Sequence, residues 1–348
     1  MPTYNPTSPP EDESKMKSLK FALPLFLLAN VAHASCGSSF CMVNTNWDVQ
    51  GLSHDSGLQA DLRYSYAKAD RWMAGSSKRA TETPGGGTDA EIENKRTINQ
   101  LVNLNLDYAI NRQWGITLGL PFVMRDHTHT FDSSSPSGAF EQQAKFSELG
   151  DIRLLGKYKF NLANHDAGAG LRFGLKLPTG ATDKTMSPPD PSDPTTPYAL
   201  ERSSQPGTGS TDGILGAYYF QNVPGAGWGW FVSGQVQSAI ATKDDYRPGM
   251  EVSFDVGAHV EVAQGLNLLL QLNGQHRSRD TGTNANPASG GYALNLSPGL
   301  SYAITPQTQF YGYVQLPIVQ YMNTDPAEAG SGQLAARWSA TVGITQRF

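Results

Sequence analysis

The last twelve residues, Arg337-Trp-Ser-Ala-Thr-Val-Gly-Ile-Thr-Gln-Arg-Phe348, restrict the fold more than any other stretch. Read with a period of two, Trp338, Ala340, Val342, Ile344, Gln346 and Phe348 fall on one face, and Arg337, Ser339, Thr341, Gly343, Thr345 and Arg347 on the other. Successive side chains of a strand point to opposite sides, so this stretch has one mostly apolar and one wettable surface. The same alternation recurs upstream, and the spacing predicts twelve strands: 57–68, 96–111, 114–125, 150–162, 167–178, 212–221, 227–241, 251–263, 266–275, 291–304, 309–321 and 337–348. In the sixth, the run Tyr218-Tyr219-Phe220 defeats the alternation and leaves its facing open.

The connections alternate in length. Those after even-numbered strands are short (111–113, 163–166, 223–226, 264–265, 305–307), and the others are long (69–95, 126–149, 179–211, 242–250, 276–290, 322–333). Bacterial transmembrane barrels have short periplasmic turns and long outside loops. An even number of strands then places both termini in the periplasm, and Trp114, Trp228, Trp230, Tyr302 and Trp338 suit an interfacial girdle. The expected fold is all-β, a 12-stranded antiparallel transmembrane barrel of the bacterial outer membrane.

Composition agrees. Mean hydropathy is negative, and no apolar run approaches the roughly 20 residues of a membrane helix. A barrel wall averages to that value because its polar and apolar residues alternate. The 36 Gly and 16% charged residues fit many short strands and turns, and a net charge of -5 gives no footprint for nucleic acid. At the amino end, Met16-Lys-Ser-Leu-Lys20 is a basic n-region, Phe21 to Val31 an apolar h-region and Ala32-His33-Ala34 a cleavage site. Residues 1–34 are therefore read as an upstream extension and secretory signal, with Met16 as an alternative start. Residues 35–56 are read as a periplasmic segment and 57–348 as the barrel.

Several stretches together resemble a known family: Glu148-Leu-Gly-Asp-Ile-Arg-Leu-Leu-Gly-Lys-Tyr-Lys-Phe160, Leu175-Lys-Leu-Pro-Thr-Gly180, Gln205-Pro-Gly-Thr-Gly-Ser-Thr-Asp-Gly-Ile-Leu-Gly216 and Gln315-Leu-Pro-Ile318. They look like the outer-membrane barrel "transporter" family named for the meta-pathway of phenol degradation. The Cys36-Gly-Ser-Ser-Phe-Cys41 start looks like that of a subgroup. Membership implies a channel passing small solutes, hydrophobic or aromatic ones among them, across the outer membrane. The aromatic ending on Phe348 resembles the closing strand that the barrel-assembly machinery recognises, so that machinery and outer-membrane lipid are the implied partners, beside the solute.

If the apolar faces point outward, Arg153, Lys157, Lys159, Arg172 and Lys176 point inward on adjacent staves. Glu251, Asp255, His259 and Glu261 point inward on another. Opposed patches across a narrow pore create a transverse field that orients dipolar solutes; the same groups could equally form salt bridges that plug the lumen. Tyr311 and Tyr313, with Gln315, suit either an amphipathic inner stave or an outer girdle, depending on register. Cys36 and Cys41 are spaced for a small disulfide ring in an oxidising compartment. The other reading is a thiolate pair for a soft metal such as copper, or exchange with a periplasmic redox partner, which would make the barrel an anchor for an adaptor protein. His127 and His129, read as lying in the second outer loop, are further metal candidates. His276-Arg-Ser278 and Asp126-His127 lack the remaining members of a catalytic set, so no catalytic residue and no cofactor is expected.

Overall fold

In the computed structural model, the described residues are 43–52, 57–79, 92–131, 138, 140–164, 166–189, 191, 194–327 and 331–348. The expected signal and both cysteines, Cys36 and Cys41, lie outside them. The wall is built from β1 (Gly57–Ala74), β2 (Ile92–Ala109), β3 (Trp114–Phe131), β4 (Phe140–Leu149), β5 (Arg153–Lys159), β6 (Ala167–Lys176), β7 (Thr211–Val223), β8 (Trp228–Ala241), β9 (Glu251–Ala263), β10 (Leu266–Arg277), β11 (Gly291–Ala303), β12 (Thr308–Met322) and β13 (Gln333–Arg347). Each strand pairs antiparallel with its neighbours, and β13 pairs with β1 from Gln59↔Arg347 to Met73↔Gln333, which closes the sheet. Strands β4 and β5 lie end to end against β3 and make one stave, so the described residues form a twelve-stave barrel.

Alternation sets the facing throughout. On β1, Leu62 is 48% exposed while Asp61, Arg63 and Ser65 are buried; on β13, Val342 and Ile344 are exposed while Thr341 and Thr345 are buried. The outer surface is thus an apolar band and the interior is polar, the inverse of a water-soluble barrel. Trp114, Trp228, Trp230, Tyr302 and Trp338 all stand on the outer face.

Three expectations need correction. Segments 69–95 and 126–149 are not wholly loop: β1 runs on to Ala74, β2 begins at Ile92, β3 runs to Phe131 and β4 begins at Phe140. The wall therefore rises past the apolar band on these staves, and its outward residues turn polar beyond Met124, at Asp126 and Thr130. The fourth stave begins ten residues earlier than the pattern indicated, and its break at residues 150–152 lies beside Pro121, which has no N–H for the ladder. Finally, residues 43–52, expected in the periplasm, lie inside the barrel. They are polar where they meet the polar wall and apolar where they meet inward aromatics.

That last point settles the facing of β7. Leu215 is 60% exposed, whereas Tyr218 and Phe220 are buried and point inward. They pack with Val49 and with Phe231 of β8. Tyr311 and Tyr313 also point inward, packed with Val43 and Trp47.

Candidate functional site

The lumen is occupied from one end by residues Val43 to Leu52. Val43, Thr45, Trp47 and Val49 are buried at every second position, so this short segment is itself patterned with a period of two. Trp47 sets its ring edge-on to Tyr311, with centroids 5.1 Å apart, and its indole Nε1 donates to Thr345 Oγ1 at 2.9 Å. Asn44 pairs with Gln271 as one amide with another: its N–H donates to Gln271 Oε1 at 3.2 Å, and its carbonyl accepts from Gln271 Nε2 at 2.8 Å. Asn44 Nδ2 donates to Ser233 Oγ and to Asp255 Oδ2, each at 2.9 Å.

Charged groups complete the attachment. Lys157 bridges Asp48 of this plug and Asp107 of β2, the latter at 3.0 Å, and Arg63 donates to Thr45 Oγ1. Arg347 Nη2 donates to the Leu52 carbonyl at 2.7 Å, beside the point where the chain enters β1. Gly51 turns the segment at φ +71°, and a Cβ there would lie 2.4 Å from the Phe220 ring. Only glycine satisfies both conditions.

The other end of the lumen is narrowed by the connection from β6 to β7, which folds inward. Arg125 of β3 donates to the Ser204 carbonyl. Asp151, in the break between β4 and β5, accepts from Lys176 Nζ at 2.7 Å, from Thr208 N–H at 3.0 Å and from Gly180 N–H at 3.0 Å. Lys176 also donates to the Ser210 carbonyl at 2.8 Å. These bonds tie both ends of the connection to the wall. Above it, Arg202 lies over the Tyr246 ring, 5.2 Å from its centroid, and Tyr246 donates to Asp280 Oδ2 at 2.9 Å.

Between plug and connection is a chamber of about 410 Å³. Of the charged residues read from the sequence, Arg153, Arg172 and Lys176 line one side, with Glu251 and Asp255 also on its wall. Lys157 is engaged with the plug, and Lys159 is not on the chamber wall. Glu261 is exposed at the hairpin after β9, where it accepts from the Gly265 N–H at 2.9 Å. His127 and His129 are not in a loop. Both lie on β3, buried, on its inner face, and Asp126, just before them, points to the opposite face. The plug was invisible to strand-based reading because it belongs to no strand; the alternation of Val43, Trp47 and Val49 was the available signal.

A closed antiparallel barrel with an apolar outer band and a charged interior is of the transmembrane β-barrel class. The chain matches the family model described as "Putative MetA-pathway of phenol degradation" over residues 192–343, the part that runs from within the β6–β7 connection into β13. Among solved structures, an outer membrane channel from Pseudomonas putida F1 shares the fold with a TM-score of 0.58 and 12% identity, over 88% of this chain and 100% of that one. The toluene transporter TbuX of Ralstonia pickettii aligns with a TM-score of 0.42 and 11% identity, over 86% and 91%. A FadL homologue of Pseudomonas aeruginosa aligns with a TM-score of 0.44 and 9% identity, over 91% and 100%. No curated protein matches the chain.

Proposed function

We propose that the protein is an outer-membrane channel for small amphipathic solutes, aromatic ones among them, and that residues 43–52 are its movable closure. The observation that carries this is the chamber itself. It is of ligand size, it mixes charged residues with Val49, Leu155 and Tyr218, and it is sealed on one side by a ten-residue segment rather than by a wall strand. A ring bearing one polar or charged group meets partners for both its parts there. The start of β1 at Gly57 and the carboxyl end at Phe348 lie together at the rim of the short turns, and on the barrel pattern that rim faces the periplasm.

The test compares the refolded mature chain with a variant lacking residues 43–52 in planar bilayers, and follows entry of benzoate into proteoliposomes. The expected result is sparse, short openings for the intact chain and a steady conductance several-fold larger for the deletion, with faster benzoate entry. A folded deletion variant that neither conducts nor admits benzoate overturns the reading.

A further inference from the structure

The His127 and His129 pair lies apart from the chamber and plays no part in the proposed passage. A strand places i and i+2 on one face, and here both imidazoles are turned toward each other: Nε2 to Nε2 is 2.8 Å, with ring centroids 4.6 Å apart. Two neutral imidazoles can face each other in this way only if one carries its proton on Nε2 and the other does not. Two Nε2 lone pairs sharing a cation satisfy the same geometry. Thr97 Oγ1 lies 2.7 Å from Nδ1 of His127, so it can accept Nδ1–H and set the tautomer whose Nε2 carries the lone pair, the usual outer contact of a ligating histidine.

The separation itself is informative. With metal–nitrogen bonds of about 2.0 Å, nitrogens 2.8 Å apart subtend roughly a right angle at the ion. That is the angle between adjacent ligands of a tetragonal centre and is too small for a tetrahedral one. A third donor is at hand. Gln142 of β4 stands directly opposite His129 in the ladder and is 1% exposed. Its Nε2 donates to the Pro188 carbonyl at 3.0 Å, which fixes the amide orientation and leaves Oε1 buried with no hydrogen-bond partner. A buried, unsatisfied oxygen is costly, and a bound cation would satisfy it. Arg125, the next inward residue of β3, directs its guanidinium to Asn99 and Ser204.

The geometry points to a binding site for a divalent late transition metal, Cu(II) above others, formed by Nε2 of His127, Nε2 of His129 and Oε1 of Gln142. Mixed nitrogen and oxygen donors in tetragonal geometry select Cu(II) or Ni(II). The site lies where β3 and β4 rise beyond the apolar band, and a bound ion would pin these two strand tips together beneath the inward-folded connection.

The test is titration of the untagged, refolded full chain with Cu(II), followed by dialysis and electron paramagnetic resonance. The expected result is about one retained equivalent with an axial spectrum split by two nitrogens, unchanged when Cys36 and Cys41 are both Ser. His127→Gln and His129→Gln should each weaken retention at least about tenfold, the lower end of what even outer-contact changes cost at metal sites, and Gln142→Ala should weaken it less while altering the spectrum. Folding of each variant is checked by the mobility of unheated samples in gels. No retained copper, a wild-type spectrum without nitrogen splitting, or a signal that disappears with the cysteines overturns the proposal, and the wild-type spectrum decides even if a variant fails to fold.

Discussion

A single lysine illustrates how the plug is held. Lys157 lies between Asp48 and Asp107, with only 13% of its side chain exposed. Its charge is what allows two carboxylates to share a low-dielectric space. Removing one member of such a buried set leaves the others uncompensated, at a cost of about 3–5 kcal/mol. On the proposed closure the barrel does not bear that cost, because Asp48 is on the plug and leaves with it. Lys157→Met should therefore keep the barrel folded and raise the fraction of time the channel conducts, in single-channel records. Asp48→Asn combined with Lys157→Met should give less than the sum of the two effects, because both act on one contact. Equal and additive effects would mean that the plug is not held there. Gly51→Ala should open the channel by another route, since its Cβ would displace the Phe220 ring on which the turn rests.

At the scale of elements, what could be read from sequence was what obeys a period of two. Residues 251–263 and 266–275 were legible because Val256 and Leu270 face lipid and their neighbours face the lumen. The upper parts of β3 and β4 were not, because beyond the lipid both faces are polar or mixed and alternation loses its meaning. His127 and His129 were consequently read as loop residues. The sixth stave was ambiguous because Tyr218 and Phe220 face a plug that no pattern within that stave announces. The charged candidates were legible as inward residues, but which of them meet the chamber depended on how deep the plug reaches. Loops supply their own order: Thr283 donates to Asp245 Oδ2 through its N–H at 3.0 Å and its hydroxyl at 2.8 Å, joining the β8–β9 and β10–β11 connections. Those two donors hold the Asp245 carboxyl below the ordinary carboxylate value. A depressed folded value means that the contribution is present at neutral pH and is lost as pH falls through it. Hydrogen exchange of residues 242–250 and 281–284 should stay slow down to about pH 4, the ordinary carboxylate range, and speed up below it. In Asp245→Asn the exchange, corrected for its intrinsic pH dependence, should be faster at neutral pH and lack that step. A wild-type step at neutral pH would assign the join to another group.

For the whole molecule, the proposed closure implies that the lumen charges act on passing ions once residues 43–52 are out. Arg153 on β5 and Glu251 on β9 both line the chamber, on staves separated by β6, β7 and β8. With residues 43–52 in place, the wall charges near the plug are bound to it, as Asp255 is to Asn44. In the deletion variant the lumen should be water-filled and the two patches should act on passing ions directly. A unit charge about 4 Å away in water-like dielectric is worth about 1 kcal/mol, which corresponds to a roughly fivefold change in relative permeability. In that background, Arg153→Glu should shift the reversal potential under a salt gradient toward cation selectivity, and Glu251→Arg should shift it toward anion selectivity by a comparable amount. The double exchange restores the net charge and inverts the transverse field. It should return small-ion selectivity close to the starting value while changing benzoate entry, because a solute with one charged end senses the direction of the field and a small ion does not. If the double exchange leaves benzoate entry unaltered, the lumen sorts solutes by size alone, and the opposed charges serve only to seat the plug.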